Sequence, residues 1–587
     1  MSIETLKYNA DLCVVGGGLA GVCAAVAAAR EGIKVVLMHE RPVLGGNASS
    51  EIRMWVCGAQ GNNAAETGIT EEIFLENLRI NPYKNHYVFD ALLWNLVKHE
   101  PNITLLLNCS CMSAEMNSES EIRSVTGWQM TTQKFCEVNA LYFADCSGDS
   151  ILAPLTGAKY RVGREAADEF SENVSAKTAD KKTMGNSCLI QAHKGNVPVS
   201  FTAPDFAEKL TAEDLKFRRP NMKSSSENFW YLELGGDKDT IGDAETVRDE
   251  LVALAYGMWD YIKNSGEYED AELWQLDFIG FLPGKRESRR MVGKIIMNQN
   301  DILSDRAFPD VAAYGGWPLD DHDPAGFYYD GHPNTAYNTP DTYAIPYRAL
   351  YSGNIENLFF AGRNISMTHA AMSSTRVMAT CAVCGQAVGT AAAVAKKRNT
   401  MPHGVYLEYI EELQNILLWN DCLLPHCPRK INEKTKKAEI YFNGKKCEAA
   451  EAVRDGNDRE NVFEFEAGGA VEYRFEKAEK IEEVRIVFDS DLNRETLPGD
   501  RCERTHMTRC NLLPDSPVMQ LPKTLCKSYT VFGIKSDGEK VILKEENENS
   551  QRLVKIKVDG EFKTVGLIMK EANSGGKMMR IFSFDVR

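Results

Sequence analysis

The stretch Asp11-Leu12-Cys13-Val14-Val15-Gly16-Gly17-Gly18-Leu19-Ala20-Gly21 decides how the chain begins to fold. Asp11–Val15 is a short apolar run that reads as a strand. Three glycines make a turn, and the Ala-rich run Leu19–Arg30 reads as a helix, followed by a second apolar strand at Lys34–Met38. Gly16, Gly18 and Gly21 fit the G-x-G-x-x-G spacing. The first glycine serves the tight turn, the second lets a diphosphate approach the backbone, and the third lets helix and strand pack closely. Leu19 and Ala20 open the helix, whose positive end then faces the phosphates. Glu40 stands at the end of the second strand, about twenty residues on, where a carboxylate accepts ribose hydroxyls. The expectation is a dinucleotide-binding βαβ unit.

The same residues pose a trap, because Leu12–Ala29 is an apolar run of nearly membrane-spanning length. Asp11 and Arg30 bracket it, four glycines interrupt its first half, and the residues before it lack a basic cluster. We therefore expect no membrane anchor. A net charge of −16 over 587 residues argues against nucleic acid as a partner, which demands clustered Lys and Arg. Many of the 16 cysteines, among them Cys13, Cys23, Cys381 and Cys384, sit in apolar runs where a thiol packs as a small hydrophobe. A reducing, cytoplasmic setting is the expectation. A homo-oligomer is compatible with the sequence.

Beyond the first unit, helical patterns at Thr70–Leu78 and Val88–His99 precede a strand at Ile103–Leu107, and a meander runs from Ser110 to Asp145. Polar loops and aromatic clusters then replace the strand–helix alternation, with an amphipathic helix at Glu245–Asn264 and a strand at Arg290–Met297. The alternation returns with a strand at Asn357–Ala361 and one long helix from Ser374 to Lys397. Val405–Trp419 reads as a helical linker. Short alternating strands follow at Phe463–Phe465, Val471–Phe475, Val484–Phe488, Tyr529–Phe532, Val554–Val558 and Ile581–Val586. The expected organisation is a Rossmann-like α/β domain over 1–156 and 343–400, an inserted α+β substrate or cap domain over 157–342, a linker over 401–430, and an all-β sandwich or jelly roll over 431–587.

After Glu40 the chain runs Arg41-Pro42-Val43-Leu44-Gly45-Gly46-Asn47. Here it resembles the glutathione-reductase-like flavoproteins, in which a Gly-Gly pair lets the backbone pass close to the cofactor diphosphate. Asp145-Cys146-Ser147-Gly148-Asp149 is similar to the second nucleotide-contact strand of that superfamily, with Ser in place of the commoner Thr. Phe359-Phe360-Ala361-Gly362-Arg363 resembles its terminal strand. Gly284 to Gly293, Ala344-Ile345-Pro346-Tyr347-Arg348 and Thr375-Arg376-Val377-Met378 narrow the likeness to the FAD-dependent oxidoreductase family, over residues 8–400. The resemblance implies noncovalent FAD. It assigns Gly16, Gly18, Leu19, Ala20, Gly21, Glu40, Arg41, Gly45, Gly46, Asn47, Arg53, Ser147, Gly148, Asp149, Gly362, Arg363, Ser374 and Thr375 to cofactor contact. A helix after the terminal strand would aim its N-terminus at the flavin pyrimidine. More faintly, Glu483–Leu492 and Met579–Val586 resemble galactose-binding-like β-domains.

Catalysis calls for a proton acceptor and a substrate anchor. His369, just before the proposed helix, is either that base or a hydrogen-bonded loop histidine. Arg286, Arg289 and Arg290 either hold a polar substrate bidentately or pair with Glu287 at the surface. Tyr347, Arg348 and Arg376 are further candidates. His322 and His332, among Asp320, Asp321, Asp323 and Asp330, read as a metal cluster or a solvated turn, and we expect no metal. Cys57 could tether a flavin, and Cys381-Ala382-Val383-Cys384 is either a dithiol or core packing. No second nucleotide fingerprint occurs, so electrons come from a small-molecule substrate or pass to an external acceptor or donor. The reading is a two-electron hydride transfer between a polar organic substrate, a sugar derivative or hydroxy acid, and flavin N5. The alternatives are a C=C reductase fed by an external donor and a carbohydrate-binding or assembly protein that retains a flavin scaffold.

Overall fold

A computed structural model describes residues 3–497 and 506–587. The first strand, β1 (Thr5–Val15), leads into helix α1 (Leu19–Arg30) and then β2 (Val35–Met38). Two amphipathic helices, α2 (Ile69–Ile80) and α3 (His86–Lys98), precede β3 (Ile103–Leu106). Strands β4 (Cys109–Ser118), β5 (Glu121–Gln129) and β6 (Lys134–Asp145) form the meander. The sheet order is β3-β2-β1-β6-β5-β4. The pairs among β3, β2, β1 and β6 are parallel, and β5 and β4 add antiparallel. Leu358–Phe360 pairs parallel with the last residues of β6. The strand–helix alternation thus produced the parallel sheet it predicts, and the C-terminal ends of β1, β6 and Leu358–Phe360 converge on one edge.

Helix Met378–Arg398 covers α1. It is long and apolar enough to cross a membrane, yet 94% of its apolar stretch is buried inside the protein. Gly385 and Gly389 explain how two helices approach so closely. A methyl group on either would fall about 2 Å from the carbonyl oxygen of Ala20 or Ala24 on α1. Small residues four apart give a flat stripe on which another backbone rests.

The expected single helix from Ser374 is in fact two. The chain is already helical at His369, stops at Thr375, and restarts at Met378. Both halves are largely buried, and the short polar run Ser373-Ser374-Thr375-Arg376 lies at the kink. The expected helix Val405–Trp419 is likewise divided, into Pro402–Glu408 and Ile410–Trp419. The expected strand Arg290–Met297 contracts to Arg290–Met291, because Gly293 turns against the Arg348 carbonyl with no room for a side chain.

Between β6 and Leu358, helix Ala244–Asn264 packs over small antiparallel sheets that include Asn186–Ser187, Glu233–Leu234 and Gly284–Lys285. Trp259, Met258, Leu251 and Phe229 give this region a hydrophobic cluster of its own. Past residue 438 the chain forms one eight-stranded sheet whose pairs are antiparallel. The separately expected strands Val471–Phe475 and Val484–Phe488 belong to a single long strand, Ala470–Phe488. Buried ion pairs tie this sheet to the rest: Arg552 with Asp421 at 2.7 Å, and Arg494 with Glu71.

Candidate active site

The glycine turn is held by contacts that no side chain could replace. Gly16 has φ +106°, and a Cβ there would lie 2.4 Å from the Cys146 carbonyl at the end of β6. A Cβ on Gly21 would lie 1.8 Å from the Gly16 oxygen, which fixes α1 against the turn. Gly18 is different. Its backbone is extended (φ −65°, ψ 176°), and a Cβ would meet only the Gly46 Cα, at 3.8 Å. Gly45 and Gly46, at φ +108° and +61°, bring the second loop up beside it, joined by the Gly45 N–H to the Gly17 carbonyl at 2.9 Å. Two bare backbones thus face each other at the positive end of α1, the arrangement a diphosphate needs. His39 completes it: its Nδ1 accepts from the Gly17 N–H at 3.0 Å while Nε2 donates to the Val43 carbonyl at 3.0 Å. No motif in the sequence marks His39, and its neighbour Glu40 draws the attention instead.

This turn forms one end of a cleft of about 520 Å³, within the ordinary range for ligand sites. Gly16, Gly18, Leu19, Ala20, Glu40, Arg41, Gly45, Gly46, Asn47, Ser147, Gly148, Gly362 and Arg363, which the resemblance assigns to the cofactor, all line it. Gly21 stands behind the wall as packing. Asp145 shapes the second contact loop by accepting from the Ser147 N–H and hydroxyl and from the Leu152 N–H. Asp149 does not line the cleft. Its carboxylate takes Lys285 and Arg363 at 2.7 Å each and Ser288 at 2.8 Å, and against the cost of burial those cations hold it down at about 2. It positions Arg363.

The helix end that faces the cleft is that of Met378–Arg398, whose Val377 and Met378 line it and which no side chain caps. Ser374 and Thr375 belong to the preceding helix and face the core. Ser374 is bonded to Tyr343 and to the Trp317 carbonyl, and the Thr375 hydroxyl turns to the Ala371 carbonyl and Met367 sulfur. Their assignment to the cofactor is therefore corrected by the kink. Arg53 is corrected too: at φ +68° its side chain turns away from Met54, which lines the cleft, into a different cavity. Cys57, Cys146 and Cys381 reach the cleft. Burial pushes the Cys381 thiol up to about 12, so it is no thiolate, and Cys384 is deeper still.

Opposite the glycines, the inserted region contributes a polar wall. Arg286 is 7% exposed. It donates to the Gly185 carbonyl, the Ser187 hydroxyl and the Trp230 carbonyl at 2.7–3.1 Å, with Glu233 at 3.4 Å. Arg376 sits at the kink and reaches the Asp320 carbonyl at 3.1 Å and its carboxylate at 3.3 Å. Between them lies His322, which lines the cleft although it is nearly buried. Its Nδ1 is 2.6 Å from Glu233, and its Nε2 is 3.2 Å from Arg376 and 3.6 Å from Asp320. Burial alone would depress this imidazole, but Glu233 and Asp320 outweigh it and raise the pKa above the ordinary value. Of the stretch read as a metal cluster or a solvated turn, Asp323, Asp330 and His332 are indeed exposed, whereas Asp320, Asp321 and His322 are drawn inward. His332 packs edge-on to Phe217, 5.4 Å away.

Other expected catalytic groups lie elsewhere. Tyr347 is wholly buried and donates to the Pro402 carbonyl at 2.9 Å, so it is a core residue. Arg348 pairs with Asp310. Arg289 donates to the Asp149 carbonyl and lies over Tyr160, outside the cleft. Arg290, fully buried, binds Glu165 and the Met367 carbonyl. His369 sits behind the wall with Nδ1 2.9 Å from Glu287 and Nε2 3.0 Å from Asp321. Burial opposes its charge, yet the two carboxylates lift its pKa to about 10. It is a fixed imidazolium, not a base, and it steadies Asp321, whose carboxylate accepts the His322 N–H. A folded pKa above the free value of roughly 6.5 contributes stability that is complete below that pH and is lost as pH rises toward about 10. The thermal midpoint of the wild type relative to His369→Gln is expected to fall steadily across that window. A difference independent of pH would show that the charge is absent.

One wall residue comes from far along the chain. His506 lines the cleft, stacks on Trp55 at 4.8 Å with 6° between planes, and has Nδ1 2.8 Å from the Val56 carbonyl. No local pattern announces a contact across so many residues.

Some solved structures resemble parts of the chain. A family 32 carbohydrate-binding module of Streptococcus pneumoniae EndoD is 14% identical over 26% of this chain and 94% of its own, with a TM-score of 0.19. The corresponding module of C. perfringens NanJ is 10% identical over 26% and 95%, with a TM-score of 0.18. A geranylgeranyl bacteriochlorophyll reductase-like protein of Thermoplasma acidophilum is 12% identical over 71% and 86%, with a TM-score of 0.31. Likenesses this slight carry no argument. No curated protein matches the chain. The model of the FAD dependent oxidoreductase family matches residues 11–417, from the first strand through the kinked helices, and the glycine cradle at the head of α1 fits a dinucleotide. The chain belongs to that family: it is a FAD-dependent oxidoreductase.

Proposed function

We propose that the enzyme oxidises a small polar organic substrate, a hydroxy acid or sugar derivative, at a site formed by Arg286, Arg376 and His322. The observation that carries this reading is that all three side chains line the same cleft as the glycine cradle. Bound FAD supplies a two-electron acceptor that takes hydride at N5. The diphosphate would lie against Gly16–Ala20 and Gly45–Gly46, and the N-terminus of Met378–Arg398 would face the flavin.

The protein's share of the chemistry follows from the opposite wall. Arg286 and Arg376 offer two guanidinium groups to a carboxylate or hydroxyl oxygen. With its Nδ1–H given to Glu233, His322 keeps a lone pair on Nε2, the nitrogen beside Arg376 and Asp320. That nitrogen takes the hydroxyl proton as the C–H pair leaves as hydride, so two electrons and two protons are accounted for. Trp230, its ring 5.3 Å from that of His322, shields the proton transfer from water.

Anaerobic mixing of the FAD-loaded enzyme with hydroxy acids and sugar derivatives tests this directly. Bleaching of the visible flavin absorbance by at least one is the expected result. If none bleaches it while unsaturated acids reoxidise the pre-reduced enzyme, the same wall works as a proton donor and the reaction runs as a C=C reduction. If neither occurs, the assignment of this wall to substrate fails.

A further inference from the structure

A second cavity, of about 340 Å³, shares no lining residue with the flavin cleft. Arg53, Lys84 and Arg509 line it, each at least nine-tenths buried. Among the described residues no Asp or Glu does. The N-terminus of α3, its Tyr87 and Val88 N–H groups already capped by the Asn85 side chain, forms another part of the wall through Asn85, His86 and Tyr87.

Arg53 is the telling residue. Its guanidinium donates to the Ser50 carbonyl at 3.0 Å, the Tyr87 hydroxyl at 2.7 Å and the Gln191 side-chain oxygen at 2.5 Å, and lies 4.0 Å from the Phe278 ring centre. All these partners are neutral, and among the described residues no carboxylate lies within 4 Å of it. Burial pulls its pKa down, the mark of a charge held at a cost. Its backbone, at φ +68°, is one that a long side chain rarely adopts. Asp277 and Asp90 favour its charge only from beyond ion-pair range, and a buried cation without a contact counter-ion and a strained backbone each cost stability. Both penalties converge on one side chain aimed into one cavity. Lys84 and Arg509 have partners of their own, the His506 and Pro517 carbonyls among them, and add to the positive wall.

We propose that this cavity binds a small oxyanion, a phosphate or carboxylate group, with Arg53 as its principal ligand. Tyr83 and Tyr87, both well exposed, flank the mouth.

Calorimetry of the FAD-loaded protein in chloride buffer tests it, with inorganic phosphate in one titration and malonate in another. Saturable uptake of at least one is expected, and whichever binds tighter identifies the oxyanion. Arg53→Gln should weaken that uptake by about tenfold or more. A second variant guards against misfolding: Tyr87→Glu places a carboxylate in the first turn of α3, where negative charge is favourable and Arg53 is already in reach. It should fold and abolish uptake by supplying an internal counter-ion. No uptake of either anion by the wild type, or undiminished uptake by both variants, would overturn the proposal.

Discussion

A Gly18→Val protein is expected to fold and to purify colourless. Geometry sets this glycine apart from its neighbours. An alanine at Gly21 would drive a methyl to 1.8 Å from a backbone oxygen, and one at Gly16 would strike β6 at a φ of +106°. Either change breaks the turn and says nothing about the cofactor. At Gly18 the backbone is extended and the nearest atom to a new Cβ is 3.8 Å away. Valine is a poor helix N-cap, at a cost of about 1 kcal/mol, which a domain of this size tolerates. Its methyls occupy the space between two glycine loops that the diphosphate must enter. FAD affinity should fall by roughly 100-fold or more, about 2.8 kcal/mol. Far-ultraviolet dichroism and the thermal midpoint should stay near those of the apo wild type. A Gly18→Val protein that is as yellow as the wild type would show that the cofactor lies elsewhere.

The residues behind that prediction are legible in the amino-acid sequence alone. Strand, glycine turn and helix are encoded within about thirty residues by local periodicity, and the loops at Ser147-Gly148 and Gly362-Arg363 follow strands that are equally local. The opposite wall has no such signal. His322, Arg376 and the Trp230–Glu233 segment come from distant parts of the chain and meet through ion pairs and ring contacts, which leave no periodic trace. The acidic surroundings of His322 look like a solvated turn because sequence does not show that Glu233 and Asp320 are drawn inward around it. His369 is legible as unusual, but its role inverts. A histidine between two carboxylates is charged, and only the fold reveals that Glu287 is one of them. The kink at Arg376–Val377 is hidden because the polar run Ser373-Ser374-Thr375 reads equally well as the opening of one long helix, where Ser and Thr are favoured caps. It matters more than the helix it interrupts, since it delivers both an uncapped helix end and a guanidinium to the cleft.

The second large effect concerns His322. His322→Gln is expected to slow flavin reduction by about 10²- to 10⁴-fold, the span by which a positioned base accelerates proton transfer, with FAD binding unchanged. Glutamine can still donate to Glu233, so the wall keeps its shape and loses only its proton acceptor. The pH dependence distinguishes this from a packing defect. The reactive form is the neutral imidazole, and the folded pKa lies above the free value. In the wild type the rate of reduction should therefore climb with pH through a pKa above about 6.5. That limb should vanish in His322→Gln. Glu233→Gln makes the sharper test: it removes the carboxylate that raises the imidazole pKa, so the limb should survive but move to lower pH. A limb that persists in His322→Gln, or that ignores Glu233, would place the base on another residue.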